Sequence, residues 1–270
     1  MSRTLHVLGI GFWARGLPDW TYARAALRGE LQITDGETRR PAPTMLPAAE
    51  RRRVPDSVAL ALEVATQAVT QSGLPAAELP TVFASTHGDL AITDYVCSTL
   101  VEQTALLSPT KFHNSVHNAA AGYWTIGTQC QAPSSALAAF DRTFAAGFVE
   151  AASIAAADDC PVLLAAYDVD ACGALASVTA SRGLLAYAAV LSPIARSASF
   201  ATIDWGLVAT SAPPSSTVSA AARDLQHNAA APALPLFEAL AAGGSHTVTL
   251  PLDHTGASTL QLNISTPANP

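Results

Sequence analysis

Apolar and polar positions change their period several times along this chain, and each change marks an element. Leu5–Gly11 (LHVLGIG) is a short apolar run closing on glycines, which predicts a strand. From Asp56 or Ser57 to Ser72, Val58, Leu62, Ala65 and Val69 recur at the spacing of one helix face, with a capping side chain in front and Gly73 as the stop. Pro80–Ser85 reads as a strand, Thr86–Asp89 as a turn whose Asp89 caps the next helix, and Leu90–Leu106 as one helix or two short ones. A further helix opens at Asn118. Ser134–Ala138 is a brief strand that runs straight into a tight turn at Ala139-Phe140-Asp141, and an Ala-rich helix follows from Arg142 to Ala157. Strand patterns return at Pro161–Tyr167, Gly183–Leu191 and Ser199–Val208. Beyond them, Ala209–Gly244 is rich in Ala, Pro and Ser, with helices expected at Val218–His227 and Pro235–Ala242. Thr247–Leu252 and Thr259–Ile264 alternate as a closing hairpin, and Ser265–Pro270 is expected to fray.

Strands interleaved with helices place the chain in the α/β class. Half of its residues are apolar and only 13% are charged, sparse cover for 270 residues. That balance fits a surface partly buried by another subunit, and Ala richness alone gives the same statistic. A formal charge of -7 disfavours nucleic acid or an anionic membrane as the main partner. Met1–Gly11 lacks the basic start and long apolar run of a signal peptide, and Gly183–Ala195 is too short for a span and contains Pro193. Cys97, Cys130, Cys160 and Cys172 show no CxxC spacing, so they read as reduced residues of a cytoplasmic protein and not as a disulfide frame or zinc site.

Several local patterns invite chemistry. Gly9-Ile-Gly11-Phe-Trp-Ala14 satisfies G-x-G-x-x-A, but Phe12 and Trp13 put bulk where a pyrophosphate must approach, and Pro18 interrupts the helix that should follow. Arg39, Arg40, Arg51, Arg52 and Arg53 crowd the connector Gly36–Asp56; they form either a solvated loop or a basic patch for an acidic carrier protein or a phosphate. His113 and His117 stand four apart without a third ligand at helical spacing, which argues against a metal. Asp158 and Asp159 are adjacent and point apart. No G-x-S-x-G is present, and Ser134 and Ser135 lie within the strand, not on its turn.

A strand delivered abruptly into a helix presents a side chain at the helix N-terminus, and here that side chain is the carboxylate of Asp141. The order Asn118-Ala119-Ala120-Ala121-Gly122, helix, short strand, sharp turn, Ala-rich helix resembles the N-terminal half of a β-ketoacyl synthase. Laid on that family without gaps, its nucleophilic cysteine falls on Asp141. The strings SVHNAAAG and TFAAG resemble one branch more closely, the ketosynthase-like chain-length factors of aryl polyene and related pigment pathways.

The resemblance implies a thiolase-like layered fold over residues 1–208, with a mixed five-stranded sheet and helices on both faces. Residues 209–270 would be a non-homologous connector and hairpin packed on it, since the resemblance covers about residues 1–205. It implies pairing through Ser134–Ala138 with a catalytic ketosynthase as a heterodimer, and contact with acyl carrier protein through the complex. His117, Asn118, Tyr123, Trp124, Ala138, Phe140, Asp141 and Phe144 would line the tunnel or interface, and Arg51, Arg52 and Arg53 would dock the carrier. No cofactor or metal is implied. The family's two histidine strings are missing: after Asp141 only His227, His246 and His254 remain. A carboxylate is a far weaker nucleophile than a thiolate and would give an anhydride with a thioester. It is well suited to cap the following helix, an interaction worth roughly 1 kcal/mol. The resemblance therefore implies a non-catalytic subunit. Two alternatives stay open: an acyl-transfer or thioesterase enzyme using Asp141 with His117 or His113, and a homodimeric acyl-binding module.

Overall fold

The computed structural model describes residues 4–33, 40–179, 181–209, 213–253, 255 and 257–266. Arg39, His254 and the end of the expected frayed tail, Pro267–Pro270, lie outside the described residues; Ser265 belongs to the last strand.

The strands are β1 (Thr4–Ala14), β2 (Thr81–Ala84), β3 (Ser134–Leu137), β4 (Val162–Asp168), β5 (Leu185–Ser192), β6 (Ala201–Val208), β7 (Ser245–Pro251) and β8 (Thr259–Ser265). Among the described residues they form one sheet in the order β3-β2-β4-β5-β1-β6-β8-β7. β2 is parallel to β3 and β4, and the remaining neighbours are antiparallel. The fold is the layered, thiolase-like arrangement expected, but with eight strands rather than five. The final hairpin extends the sheet itself. Its strand β8 pairs with β6 from Thr202↔Ser265 to Val208↔Thr259 and carries the sheet onward in plane. Alternation revealed these two strands; nothing local to them reveals their partner.

Helices cover both faces. On one side lie α3 (Asp56–Ser72) and α6 (Ala119–Thr128), packed over Leu8, Trp13, Phe83, Leu163 and Ala188. On the other lie α1 (Trp20–Leu27), α7 (Thr143–Asp158), α8 (Ala220–Leu225) and α9 (Leu234–Ala242), packed over Val7, Ile10, Phe12, Val82, Leu164 and Tyr187. Burial on both faces explains why β2 and β4 are uniformly buried runs rather than alternating ones. Short α2 (Ala48–Arg51) precedes α3, while α4 (Leu90–Glu102) and α5 (Pro109–His113) separate β2 from α6. No helix among the described residues is long and apolar enough to cross a membrane.

Helix α3 spans the expected residues and stops at Gly73, whose left-handed φ of 68° suits glycine. Its N-cap is Pro55, not Asp56 or Ser57; the Ser57 hydroxyl donates instead to Asp89 Oδ2 at 2.9 Å. The helix rests directly on β1. A Cβ on Gly9 would sit 2.0 Å from the Ala68 carbonyl oxygen, and one on Gly11 would sit 1.9 Å from that of Val64. From the same helix, Gln71 Oε1 accepts Ile10 N–H at 2.8 Å and Gln67 Oε1 accepts Phe12 N–H at 3.0 Å. These glycines serve a helix-to-strand contact, which accounts for the G-x-G without a nucleotide.

The segment after β6 is bound into the core. Phe237 of α9 stacks on Tyr187 at 4.5 Å and meets Phe144 of α7 at 6.2 Å. Glu238, buried on the same helix, accepts Val218 N–H at 3.1 Å and Ser219 N–H at 2.7 Å, fixing the entry to α8. Glu238→Ala leaves those N–H groups unpaired, and a loss of about 1–3 kcal/mol in urea unfolding is expected. An unchanged midpoint would show that water replaces the carboxylate.

Candidate elbow site

Strand β3 lies at one edge of the sheet and delivers the chain to the elbow. Phe140 there has a φ of 55°, a left-handed conformation that bulky L-residues rarely adopt. A short 3₁₀ turn, Phe140–Arg142, then passes into α7. The side chain that closes this corner is not Asp141, as the sequence suggested, but Thr143. Its hydroxyl accepts Ala139 N–H at 3.0 Å and donates to the Phe140 carbonyl at 2.5 Å. Asp141 is paired instead with Arg142 Nη1; the carboxylate is 56% exposed and the arginine side chain 12%. Arg142 Nε is buried without a partner.

The loop beneath the elbow is organised by one buried acid. Asp168, at the end of β4, is 2% exposed. It accepts the Ser85 hydroxyl at 2.9 Å, Thr86 N–H at 3.0 Å and His87 N–H at 3.2 Å. Burial pushes its carboxyl above the ordinary value, and these hydrogen bonds oppose that shift. The loop in turn touches the elbow. The Thr86 hydroxyl donates to the Phe140 carbonyl at 3.3 Å, and the His87 ring stands edge-on to Phe140 at 6.0 Å. His87 Nε2 lies 2.8 Å from the Thr179 hydroxyl. Asp89 caps α4 as expected, accepting Ile92 N–H at 3.0 Å.

The eight residues expected at a tunnel or interface do not share one wall. Ala138, Phe140 and Asp141 are exposed together at the elbow. Phe144 is buried beneath them on the α7 face. Tyr123 and Trp124 are buried on the α3 face. There the Tyr123 hydroxyl donates to Asn114 Oδ1 at 3.1 Å, while Trp124 meets Phe83 at 6.4 Å. His117 Nε2 lies 2.8 Å from the Ser85 carbonyl oxygen, and Asn118 is the exposed N-cap of α6. His113 stands edge-on to Tyr123 at 6.4 Å.

Sequence reasoning missed the residues that do gather around Asp141. An open cleft of about 370 Å³ is lined by Thr86, His87, Phe140, Asp141, Thr179 and His227, among others. His227 arrives because the chain after β6 folds back: Arg182 N–H donates to the His227 carbonyl at 2.9 Å, and Asn228 Nδ2 to the Gly183 carbonyl at 2.8 Å. No local signal near residue 227 announces this.

Of the arginines, Arg52 and Arg53 are exposed, and Arg53 meets Glu50 Oε1 at 3.5 Å. Arg53 lines a second cleft of about 360 Å³ with Lys111, Asp56, Asp89 and Asp170, so its surroundings carry both signs. The four cysteines are unpaired. Among the described residues, no group of three or more His, Cys, Asp or Glu is placed to hold a metal.

The family model described as beta-ketoacyl synthase, N-terminal domain, matches residues 26–250. No curated protein matches the chain. Among solved structures, the ketosynthase ApeO in complex with its chain length factor ApeC from Xenorhabdus doucetiae matches at TM-score 0.71 and 21% identity, over 97% of this chain and 99% of the other. The ishigamide ketosynthase/chain length factor matches at 0.73 and 13%, over 98% and 100%. Ketosynthase twelve of the bacillaene polyketide synthase in Bacillus amyloliquefaciens matches at 0.56 and 13%, over 79% of this chain and only 46% of that one. At such identities the shared property is the fold. The family match continues well past residue 205, so the final segment is not the unrelated tail that the missing histidine strings suggested. Matched over most of its length, the chain belongs to the family of the beta-ketoacyl synthase N-terminal domain.

Proposed function

We propose that this chain is a non-catalytic, chain-length-factor-like subunit. It pairs with a catalytic ketosynthase and shapes the acyl tunnel in fatty-acid or polyketide-type synthesis of the aryl polyene kind. The elbow carries this reading: Asp141, tied to Arg142, stands where the sequence resemblance puts the family's nucleophilic cysteine. Such a carboxylate is a far weaker nucleophile than a thiolate, and the anhydride it would form with an acyl group is not a stable intermediate.

Three observations support pairing. The β7 edge of the sheet is covered by the chain's own residues: Ser215 N–H donates to the Thr249 carbonyl at 3.0 Å, and Thr249 N–H to Ser215 Oγ at 2.9 Å. At the opposite end, β3 is the terminal strand, and open edges invite another chain. Val101, Leu106, Phe112 and Ile126, large apolar residues between β2 and β3, are exposed. Two similar structures of nearly equal length are of a ketosynthase with a chain length factor.

On this reading Ala138, Phe140 and Asp141 face the partner. His117, Asn118, Tyr123, Trp124 and Phe144 support the walls of the tunnel. Arg51, Arg52 and Arg53 receive the acidic carrier protein, and the complex works in the cytoplasm. The test is co-expression with a ketosynthase encoded beside this chain. The expected result is a one-to-one complex at micromolar concentration whose product lengths scatter when this chain is omitted. Separate elution with an unchanged product distribution overturns the reading.

One observation favours a second reading, a thioesterase or acyl-transfer enzyme: the cleft gathers Asp141, His87 and His227. It predicts thioester cleavage by the purified chain that disappears in Asp141→Asn. Equal background rates in both proteins dispose of it.

A further inference from the structure

We propose that Phe140 is the anchor of the subunit interface, an aromatic knob held in a strained pose for insertion into an apolar pocket of the ketosynthase partner. The proposal rests on the pairing reading above and assigns its central contact. Two features mark Phe140 out. Its φ of 55° lies where glycine is at ease and phenylalanine is not. The residue is 60% exposed.

The pose is nevertheless fixed from several sides. Its carbonyl accepts from Thr143 Oγ1 and Thr86 Oγ1, and its ring rests edge-on against His87 at an interplanar angle of 88°. His87 is held in turn by the Thr179 hydroxyl and, through its backbone N–H, by Asp168. Strain persists where the surroundings over-determine it and function uses it.

The knob stands at the end of β3, the open edge strand, so the chain that pairs with β3 also meets the ring. β3 itself, Ser134-Ser135-Ala136-Leu137, carries no charge to steer a polar contact. An exposed, immobilised aromatic ring has already lost the side-chain freedom that binding would remove, and such residues dominate interface energetics. Thr86, His87, Thr143 and Thr179 are positioning residues: they set the ring's direction without touching the partner.

The experiment measures the affinity of the purified chain for the ketosynthase encoded beside it, together with the thermal midpoint of the isolated chain. Phe140→Ala is expected to weaken binding at least about 30-fold. Phe140→Gly should weaken it as much while melting above Phe140→Ala, because glycine accepts the left-handed backbone. Thr179→Val, which frees His87, should weaken binding about 3- to 10-fold, a partial hot-spot loss, with Thr179→Ser restoring it. If the wild-type complex forms and both Phe140 variants bind within threefold of it, the anchor falls and the pairing reading stands. If wild type forms no complex, both fall.

Discussion

Gly11→Ala is expected to destabilise the chain by about 3 kcal/mol or more, a large share of a typical native stability. The added methyl carbon would sit 1.9 Å from Val64 O, 2.6 Å from Val64 C and 2.8 Å from Val64 Cα. Every one of those atoms is backbone of α3, so no side chain can rotate away. Relief requires lifting the helix from β1, which opens the layer holding Leu60, Leu62, Phe83 and Trp124. It also separates Gln67 and Gln71 from the strand N–H groups they satisfy. Gly9→Ala meets the same obstacle at Ala68 O and should behave alike. Gly122→Ala is the control. It sits in α6 with nothing within 4 Å of the new methyl, so a gain of about 0.5–1 kcal/mol is expected. Urea midpoints for the three variants decide the matter. A Gly11→Ala protein as stable as wild type would mean that α3 does not lie on β1 this closely.

The legibility of this fold follows from how local each determinant is. Helix α3 was readable because one face repeats Val58, Leu62, Ala65 and Val69 and a glycine ends it. The elbow was readable because a strand gives way to a helix within three residues. Its closing group was not. An acid before a helix usually caps it, yet here Thr143 holds the turn and Asp141 turns aside to Arg142. Sequence also cannot tell which of three consecutive residues takes the left-handed conformation, and the bulky Phe140 is the least expected of them.

Long-range assembly was the larger loss. The period-2 pattern of β7 and β8 identified strands, but their place beyond β6 depends on residues some sixty positions away, as in Thr202↔Ser265. His227 was set aside because it lacks a family string, while folding placed it in the cleft with Asp141 and His87. Phe144 and Trp124, close in sequence, ended on opposite faces of the sheet because β3 intervenes between their helices. A set of residues chosen by family position therefore divides into an exposed elbow group, two separate buried groups, and His117 with the exposed Asn118 at the start of α6.

Asp168→Ala is expected to lower stability by about 3 kcal/mol and to disorder the elbow with it. Ser85, Thr86 and His87 would lose a shared, buried acceptor, and Thr86 and His87 are the residues that hold Phe140. Asp168→Asn separates shape from charge, because it keeps the volume and removes the titration. Burial raises the Asp168 carboxyl above 3.8 in the folded chain. The folded state thus holds this proton more tightly than the unfolded one. Its contribution to stability is full below the unfolded value and is lost as pH climbs through the folded value. Relative to Asp168→Asn, the wild-type chain should therefore gain stability as pH falls from neutral toward about 4. Chemical unfolding of both proteins at a series of pH values measures that difference. A constant gap, or one that widens in the opposite direction, would mean that Asp168 is stabilised as the anion and that its hydrogen bonds outweigh its burial.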